Sequence, residues 1–173
     1  VTGVQTCALP ISLLDRGLSA ERPVAILSDA DIEHALLALA CMHVGIAYVP
    51  VSQAYSLIST DFGKLRYVMR LVTPGLVYVA HGERFAAAID AAMGADMELV
   101  VGHAPPHGRP STPFAMLEAH SPTAAVERAH AAVNGDSIAK FLLTSGSTGQ
   151  PKAVINTQRM LCSNQQMIAQ ALP

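Results

Sequence analysis

The nine residues from Thr144 to Lys152, TSGSTGQPK, combine three residue types that serve phosphate binding. Glycine permits backbone conformations that expose successive N–H groups to an anion. Hydroxyl groups donate short hydrogen bonds to phosphate oxygens, and lysine supplies a mobile positive charge. We therefore predict a polyphosphate-binding loop made by the following residues: Thr144, Ser145, Gly146, Ser147, Thr148, Gly149 and Lys152.

This segment differs from the P-loop of nucleoside triphosphatases in two residues and in its context. The P-loop has glycine directly before its lysine, and directly after it a serine or threonine whose hydroxyl holds magnesium. Pro151 and Ala153 stand at these two places. The residues that follow, AVINT (153–157), predict a strand, whereas a P-loop opens a helix that faces the phosphates. The sequence therefore argues against a P-loop enzyme.

The elements on either side must hold the loop in place. The apolar segment IAKFLLTS, residues 138–145, predicts the strand that enters the loop, giving the order strand, phosphate loop, strand. From Pro23 onwards, strand-like and helix-like segments alternate. Predicted strands cover Val24–Ser28, Ile46–Val51, Leu76–Ala80 and Glu98–Val101. Predicted helices run from Asp29 or Asp31 to Gly45, from Thr60 or Asp61 to Leu71, from Glu83 to Met93 and from Pro122 to Val133.

This alternation predicts an α/β fold with right-handed crossovers and a mostly parallel sheet flanked by helices. Strands of such a sheet are covered on both faces, which accounts for their unbroken apolar character. Apolar residues on several faces of the first of these helices, Ile32 and Leu39 among them, predict that it packs on several sides. The segment from Gly102 to Pro113 is rich in Pro, Gly, His and Ser and is predicted to be a surface loop or a boundary between sub-sheets.

Composition and charge argue against several classes of function. The 173 residues are 51% hydrophobic and 14% charged, which is typical of one well-buried domain. The formal net charge is −2, and no cluster of lysine and arginine predicts binding to nucleic acid. The longest apolar run, Ala35–Met42, is too short for a membrane span. The cysteines are widely spaced and two prolines separate His103 from His107, so we predict no metal site and expect a reducing, cytoplasmic location.

The start of the chain is predicted to be foreign to the protein. VTGVQTCALPIS resembles the translation of a common sequencing adapter, and it lacks the basic start of a signal peptide. Pro10 also interrupts its short apolar run. We therefore expect residues 1–12 to be a non-native tail, and residues 13–173 to be a truncated part of a larger domain.

The loop resembles the phosphate-loop signature of the adenylate-forming enzymes, which include acyl-CoA synthetases, adenylation domains and luciferases. Their pattern, Thr-Ser-Gly-Ser/Thr-Thr-Gly-x-Pro-Lys, is met at every position from Thr144 to Lys152. The segment from Ala35 to Tyr55 is similar to the family's helix, glycine and strand, and the resemblance extends from Leu13 to Pro173. Three positions depart from residues common in the family: Gln53, Ala153 and Gln158.

The resemblance implies a fold and an activity. The fold would be a partial N-terminal domain whose mostly parallel sheet ends in strand, phosphate loop and strand. The intact enzyme would join a small-molecule carboxylic acid to ATP, with Mg²⁺, to form an acyl-adenylate and pyrophosphate, and coenzyme A would then displace AMP. Lys152 would stabilise charge during the first step, and the loop residues would bind the phosphates.

The resemblance extends to feruloyl-CoA synthases, which activate hydroxycinnamic acids. It rests on AYSLISTDFGKL, TPGLVYV and the segment from residue 138 to residue 167. A fatty acid or another aryl acid is the alternative substrate, and a non-catalytic phosphate-binding module is the alternative function. The resemblance also implies that the remaining parts of the active site lie beyond Pro173, so that the isolated chain would be inactive.

Overall fold

A sheet with helices on both faces forms the centre of the molecule in the computed structural model, which describes residues 2–119, 124–145 and 149–172. The strands are β1 (Val24–Leu27), β2 (Tyr48–Pro50), β3 (Leu76–His81), β4 (Glu98–His103), β5 (Thr112–Pro113), β6 (Ile138–Ser145) and β7 (Pro151–Thr157). The helices are α1 (Thr2–Asp15), α2 (Ile32–His43), α3 (Gly63–Val72), α4 (Gly82–Ala92), α5 (Phe114–Leu117), α6 (Ala124–Ala132) and α7 (Gln158–Ala171). A π-helical turn covers Ala54–Ile58.

Within the described residues the sheet has seven strands in the order β5-β4-β3-β1-β2-β6-β7. Every neighbouring pair is parallel except β6 and β7, which are antiparallel. The predicted α/β fold with a mostly parallel sheet flanked by helices is confirmed. The predicted ending is confirmed as well, because β6 leads through a short loop into β7.

Alternate residues of the central strand β1 pack into separate apolar cores on the two faces of the sheet. Val24 and Ile26 belong to the core that also contains residues of α1 and α2. Ala25 and Leu27 belong to the core that contains residues of α3 and α4. Each large side chain buried in this way contributes about 1.5–3 kcal/mol. Burial on both faces therefore explains why the strands are apolar throughout.

Helix α2 begins where the sequence predicts but packs differently. Asp31 is its N-cap, and the carboxylate oxygen Oδ1 accepts a hydrogen bond of 2.7 Å from the backbone N–H of His34. The buried face carries Leu37, Ala38, Ala40 and Cys41. Ile32 and Leu39 are 75% and 55% exposed, so the predicted packing on several sides does not extend to the face that carries these two residues. α2 packs against helix α1 as well as against β2 and β6 of the sheet, and the side that carries Ile32 and Leu39 is open.

Helix α3 begins at Gly63, later than predicted. Asp61 accepts hydrogen bonds from the hydroxyl of Ser59 and from the backbone N–H of Gly63, and thereby closes a turn before the helix. Phe62 precedes the helix with a φ of 51°, a left-handed conformation that helical residues do not adopt. The predicted start at Thr60 or Asp61 is therefore wrong. Asp61, a residue type that often caps helices, closes the preceding turn instead.

The segment from Gly102 to Pro113 is not entirely a loop. Strand β4 continues to His103, and Thr112 and Pro113 form the edge strand β5, which pairs with β4. The hydroxyl of Thr112 donates to Glu98 at 2.8 Å, and Arg16 donates to both carboxylate oxygens of Glu98 at 2.7 and 3.1 Å. This clamp joins the end of α1 to the start of β4.

Helix α1 runs without interruption through the predicted boundary between residues 12 and 13. Leu9 and Ile11 are 1% and 4% exposed and share a core with Leu13. The foreign origin of residues 1–12 stays a prediction, and α1 is an element that the sequence did not predict.

Helix α7 and the ribbon formed by β6 and β7 expose several large apolar side chains. No residue of α7 is buried, and its Met167 and Ile168 are 60% and 44% exposed. On the ribbon, Leu142, Val154 and Ile155 are between 41% and 49% exposed. Among all the described residues, no helix combines the length and the apolar character that crossing a membrane requires.

Candidate phosphate-binding site

The predicted loop lies at the carboxyl edge of the parallel strands. β6 pairs in parallel with β2, and β2 with β1, so the residues after β6 are at the same edge as those after the other parallel strands. Open α/β sheets bind their ligands at this edge. The fold thus presents the hydroxyl-rich segment where a ligand can approach it.

The antiparallel register of β6 and β7 brings the two ends of the segment together. Thr144 pairs with Lys152, and Ser145 pairs with Pro151. Residues directly opposite each other on antiparallel strands project from the same face of the sheet. Thr144, Ser145 and Lys152 are all exposed, so a hydroxyl and the ammonium group are available to the same ligand.

The turn into β7 requires a glycine at residue 149. Gly149 has a φ of 80°, a conformation that residues with a Cβ atom rarely adopt. A Cβ atom at this residue would meet no atom within 4 Å, so the backbone conformation rather than crowding selects glycine. Gly146, Ser147 and Thr148 lie outside the residues that the structure describes.

A cavity of about 410 Å³ lies beside this turn. Gly149 and Gln150 line one side of it. The other side comes from the π-helical turn and the start of α3, which packs beside β7. The lining residues there are Ala54, Tyr55, Ser59, Asp61, Gly63 and Lys64.

Two residues of this cavity, Tyr55 and Lys64, were not predicted to belong to the site. The Nζ atom of Lys64 lies 5.7 Å from the centre of the Tyr55 ring, within the range of a cation–π contact. They are separated from Lys152 by more than eighty residues, so spacing could not reveal them. The one signal in the sequence is that Lys64 is among only three lysines of the chain.

Asp61 contributes a negative charge to the cavity wall. Hydrogen bonds from the backbone N–H of Gly63 and from the hydroxyl of Ser59 hold the pKa of its carboxyl below the usual value. Both of these donors come from its own turn, and Asp61 forms no ion pair with Lys64 in the described structure. The ammonium group of Lys64 is therefore not neutralised by this carboxylate.

A larger cavity, of about 610 Å³, lies elsewhere, at the amino end of β4. Its Glu98 is held by Arg16 and Thr112, and its Arg109 donates to the carbonyl oxygen of Gly94 at 2.9 Å. These charged groups serve packing between elements. We therefore assign the candidate site to the smaller cavity and the adjoining loop.

The sequence model of the AMP-binding enzymes matches residues 5–172, almost the whole chain. The chain belongs to the AMP-binding enzyme family. The comparison with curated proteins gave no match. The resemblance inferred from the loop is thereby confirmed at the level of the family.

Solved structures agree with this membership in the AMP-binding family. The ATP-bound RpMatB-BxBclM chimera B1 is 27% identical, with a TM-score of 0.68, over 96% of this chain and 30% of its own. ATP-bound MatB from Rhodopseudomonas palustris is 26% identical, with a TM-score of 0.67, over 96% of this chain and 31% of its own. A benzoate CoA ligase from Burkholderia xenovorans LB400 is similar in fold, with a TM-score of 0.72 at 19% identity. The match covers 96% of this chain and 31% of the ligase. The chain spans less than a third of each of these relatives.

Proposed function

We propose that the chain is the phosphate-binding part of an AMP-forming acid–thiol ligase that uses ATP. The observation that carries this proposal is the complete motif from Thr144 to Lys152 at the carboxyl edge of the sheet, with its glycine turn and its lysine opposite Thr144. Family membership and the similarity to two ATP-bound structures support it. The chain spans about 30% of these relatives, so the activity is proposed for a longer protein.

In the proposed reaction a carboxylate oxygen attacks the α-phosphorus of ATP and the bond to the bridging oxygen of pyrophosphate breaks. The thiol sulfur of coenzyme A then attacks the acyl carbon and AMP leaves. Magnesium enters with ATP as part of the substrate and offsets phosphate charge. For this chain we propose that the hydroxyls of Thr144, Ser145, Ser147 and Thr148 bind the β- and γ-phosphates, together with N–H groups at Gly146 and Gly149. The ammonium of Lys152 would neutralise the charge that grows on the leaving pyrophosphate.

Replacing Lys152 by alanine tests this role in an intact enzyme that contains the chain. Adenylate formation, measured as exchange of labelled pyrophosphate into ATP, is expected to slow by roughly 100-fold to 1,000-fold, the usual effect of losing one charge-stabilising donor. Thioester formation from preformed adenylate should change little. Lys140→Ala removes the same charge from the body of β6 and serves as the control. Equal losses in both half-reactions would contradict the role of Lys152.

For the acid substrate we propose a hydroxycinnamic acid of the feruloyl type. The support is the similarity of three segments to feruloyl-CoA synthases, the longest of which includes the loop. Acid-dependent pyrophosphate exchange by the intact enzyme should then be faster with ferulate than with benzoate or a medium-chain fatty acid. Faster exchange with either of the other acids would assign the protein to another branch of the family.

A further inference from the structure

The cavity beside the phosphate loop contains a cation that the family motif does not include. Gly149 and Gln150 end the loop on one side of this cavity, and Lys64 faces them from the first turn of α3 on the other. Lys64 is exposed and forms no ion pair with any residue that the structure describes. Its charge is therefore available to an anion bound at the loop.

Tyr55 holds this charge at the cavity. Its ring lies in the π-helical turn, and the Nζ atom of Lys64 is 5.7 Å from the ring centre. Such a contact restricts the flexible lysine side chain without neutralising its charge, because the ring carries no net charge. Asp61 is the acidic residue lining the cavity, and its carboxylate already accepts from Ser59 and Gly63. The arrangement leaves the ammonium directed by an aromatic face rather than by a carboxylate.

We infer that Lys64 provides a second positive charge, in addition to that of Lys152, for the terminal phosphates of ATP and for the pyrophosphate that leaves. Tyr55 is the positioning residue that keeps Lys64 at the cavity. Pyrophosphate carries several negative charges close together, and charge-assisted contacts from two separate elements bind it better than one contact can. This inference rests on the proposed function of the loop, and it adds a binding residue from a different part of the chain.

Titration of the 173-residue chain with inorganic pyrophosphate tests the inference without requiring catalysis. Lys64→Met is expected to weaken binding about fivefold, as expected for one partly solvated charge contact. Lys64→Arg should restore most of the affinity because it keeps the charge. Arg70→Met is the matched control, since Arg70 is an exposed cation on the same helix α3 but lies outside this cavity. Circular dichroism verifies that each variant is folded.

Variants of Tyr55 separate positioning from general packing. Tyr55→Phe keeps the aromatic face and should bind pyrophosphate like the unmodified chain. Tyr55→Ala should weaken binding about twofold to threefold, in line with the strength of an exposed cation–π contact. Combining Tyr55→Ala with Lys64→Met should cause no further loss beyond Lys64→Met alone. Additive losses would show that Tyr55 acts by another route and would overturn its assigned role.

Lysine acylation gives an independent measurement, because the chain has only Lys64, Lys140 and Lys152. Mass spectrometry should show that pyrophosphate protects Lys64 and Lys152 from an amine-reactive reagent and leaves Lys140 reactive. If Lys152 is protected and required for binding while Lys64 is neither, the inference fails and the proposed function stands. If pyrophosphate neither binds the unmodified chain nor protects its Lys152, both the inference and the proposed function fail.

Discussion

The residue at the turn into β7 is determined by backbone conformation. Gly149 has a φ of 80° with open space around its Cβ position, so a side chain there would meet no steric obstacle except its own backbone. An L-residue in this left-handed region costs about 1–2 kcal/mol.

We expect Gly149→Ala to weaken ATP or pyrophosphate binding by about 5-fold to 30-fold, the equivalent of 1–2 kcal/mol. The physical reason is that the strained turn departs from the conformation that binds phosphate. Titration of the chain with pyrophosphate measures the change.

Gly108→Ala is the matched control for this prediction. Gly108 has a φ of 77° and a Cβ there would also meet nothing within 4 Å, so the two substitutions cause similar strain. Both variants should unfold at similarly reduced temperatures, but only Gly149→Ala should bind pyrophosphate less tightly. Equal loss of binding in both variants would mean that the effect comes from overall stability.

Residue types alone predicted the loop of the candidate site but not the opposite wall of its cavity. Thr144, Ser145, Gly149 and Lys152 lie within nine residues, so their chemistry is visible as a local pattern. Tyr55 and Lys64 reach the cavity beside the loop, which Gly149 also lines, only because α3 packs beside β7, a tertiary contact that no local pattern encodes. A lysine in the first turn of a surface helix is otherwise typical of a solvated position.

At the scale of elements, the clamp on Glu98 joins three parts of the fold. Arg16 follows α1, Glu98 begins β4 and Thr112 begins β5. Burial raises the pKa of the Glu98 carboxyl, but the hydrogen bonds from Arg16 and Thr112 and the charge of Arg16 outweigh burial and leave the pKa below 4.5, its ordinary value. The folded state therefore favours the ionised carboxylate.

Glu98→Gln should lower the free energy of unfolding at neutral pH by about 1–2 kcal/mol, because hydrogen bonds to a partly buried charged group are lost. The pKa of Glu98 is lower in the folded than in the unfolded chain, so its stabilisation is present above pH 4.5 and is lost as the pH falls through the folded-state value. Urea unfolding at pH 7 and pH 3 measures both effects.

The difference between Glu98→Gln and the unmodified chain should accordingly shrink at pH 3. Glu83→Gln is the control, since Glu83 is 56% exposed and the ring atom Nε2 of His107, 3.8 Å away, belongs to a side chain that is 98% exposed. It should change stability by less than about 0.5 kcal/mol. A difference for Glu98→Gln that persisted unchanged at pH 3 would contradict the electrostatic explanation.

Elements with strong apolar runs were predicted correctly, and those formed by tertiary contacts were not. β1, β3 and α4 lie where the alternation of segments placed them. β5 was missed because a strand of two residues within a proline-rich segment forms only against an existing edge, that of β4. The start of α3 was misplaced because Asp61 caps a turn instead of the helix.

At the scale of the whole molecule, apolar burial is distributed unevenly. β1 and β3 contribute to the cores on both faces of the sheet, and Val24, Val77 and Leu76 are 0% exposed. Helix α7 has no buried residue; it packs against its neighbour β7, and in its first turn Gln158 donates to the carbonyl oxygen of Met42 in α2. The residue pattern within one segment, such as that of α7, cannot tell whether another part of the structure covers the helix.

Local stability should follow this distribution, because regions with few buried contacts open more readily than the core. In native-state hydrogen exchange, we expect the backbone amides of α7 to exchange much faster than those of β1 and β3. Helix α2, which has four buried residues on one face, serves as the comparison within the same chain. Its backbone amides should exchange more slowly than those of α7. Thr157 caps α7 by accepting from the backbone N–H of Met160 at 3.4 Å, a long contact that adds little protection. Equal protection of α7 and β1 would mean that α7 is covered in solution by a contact that this arrangement of helices and strands does not supply.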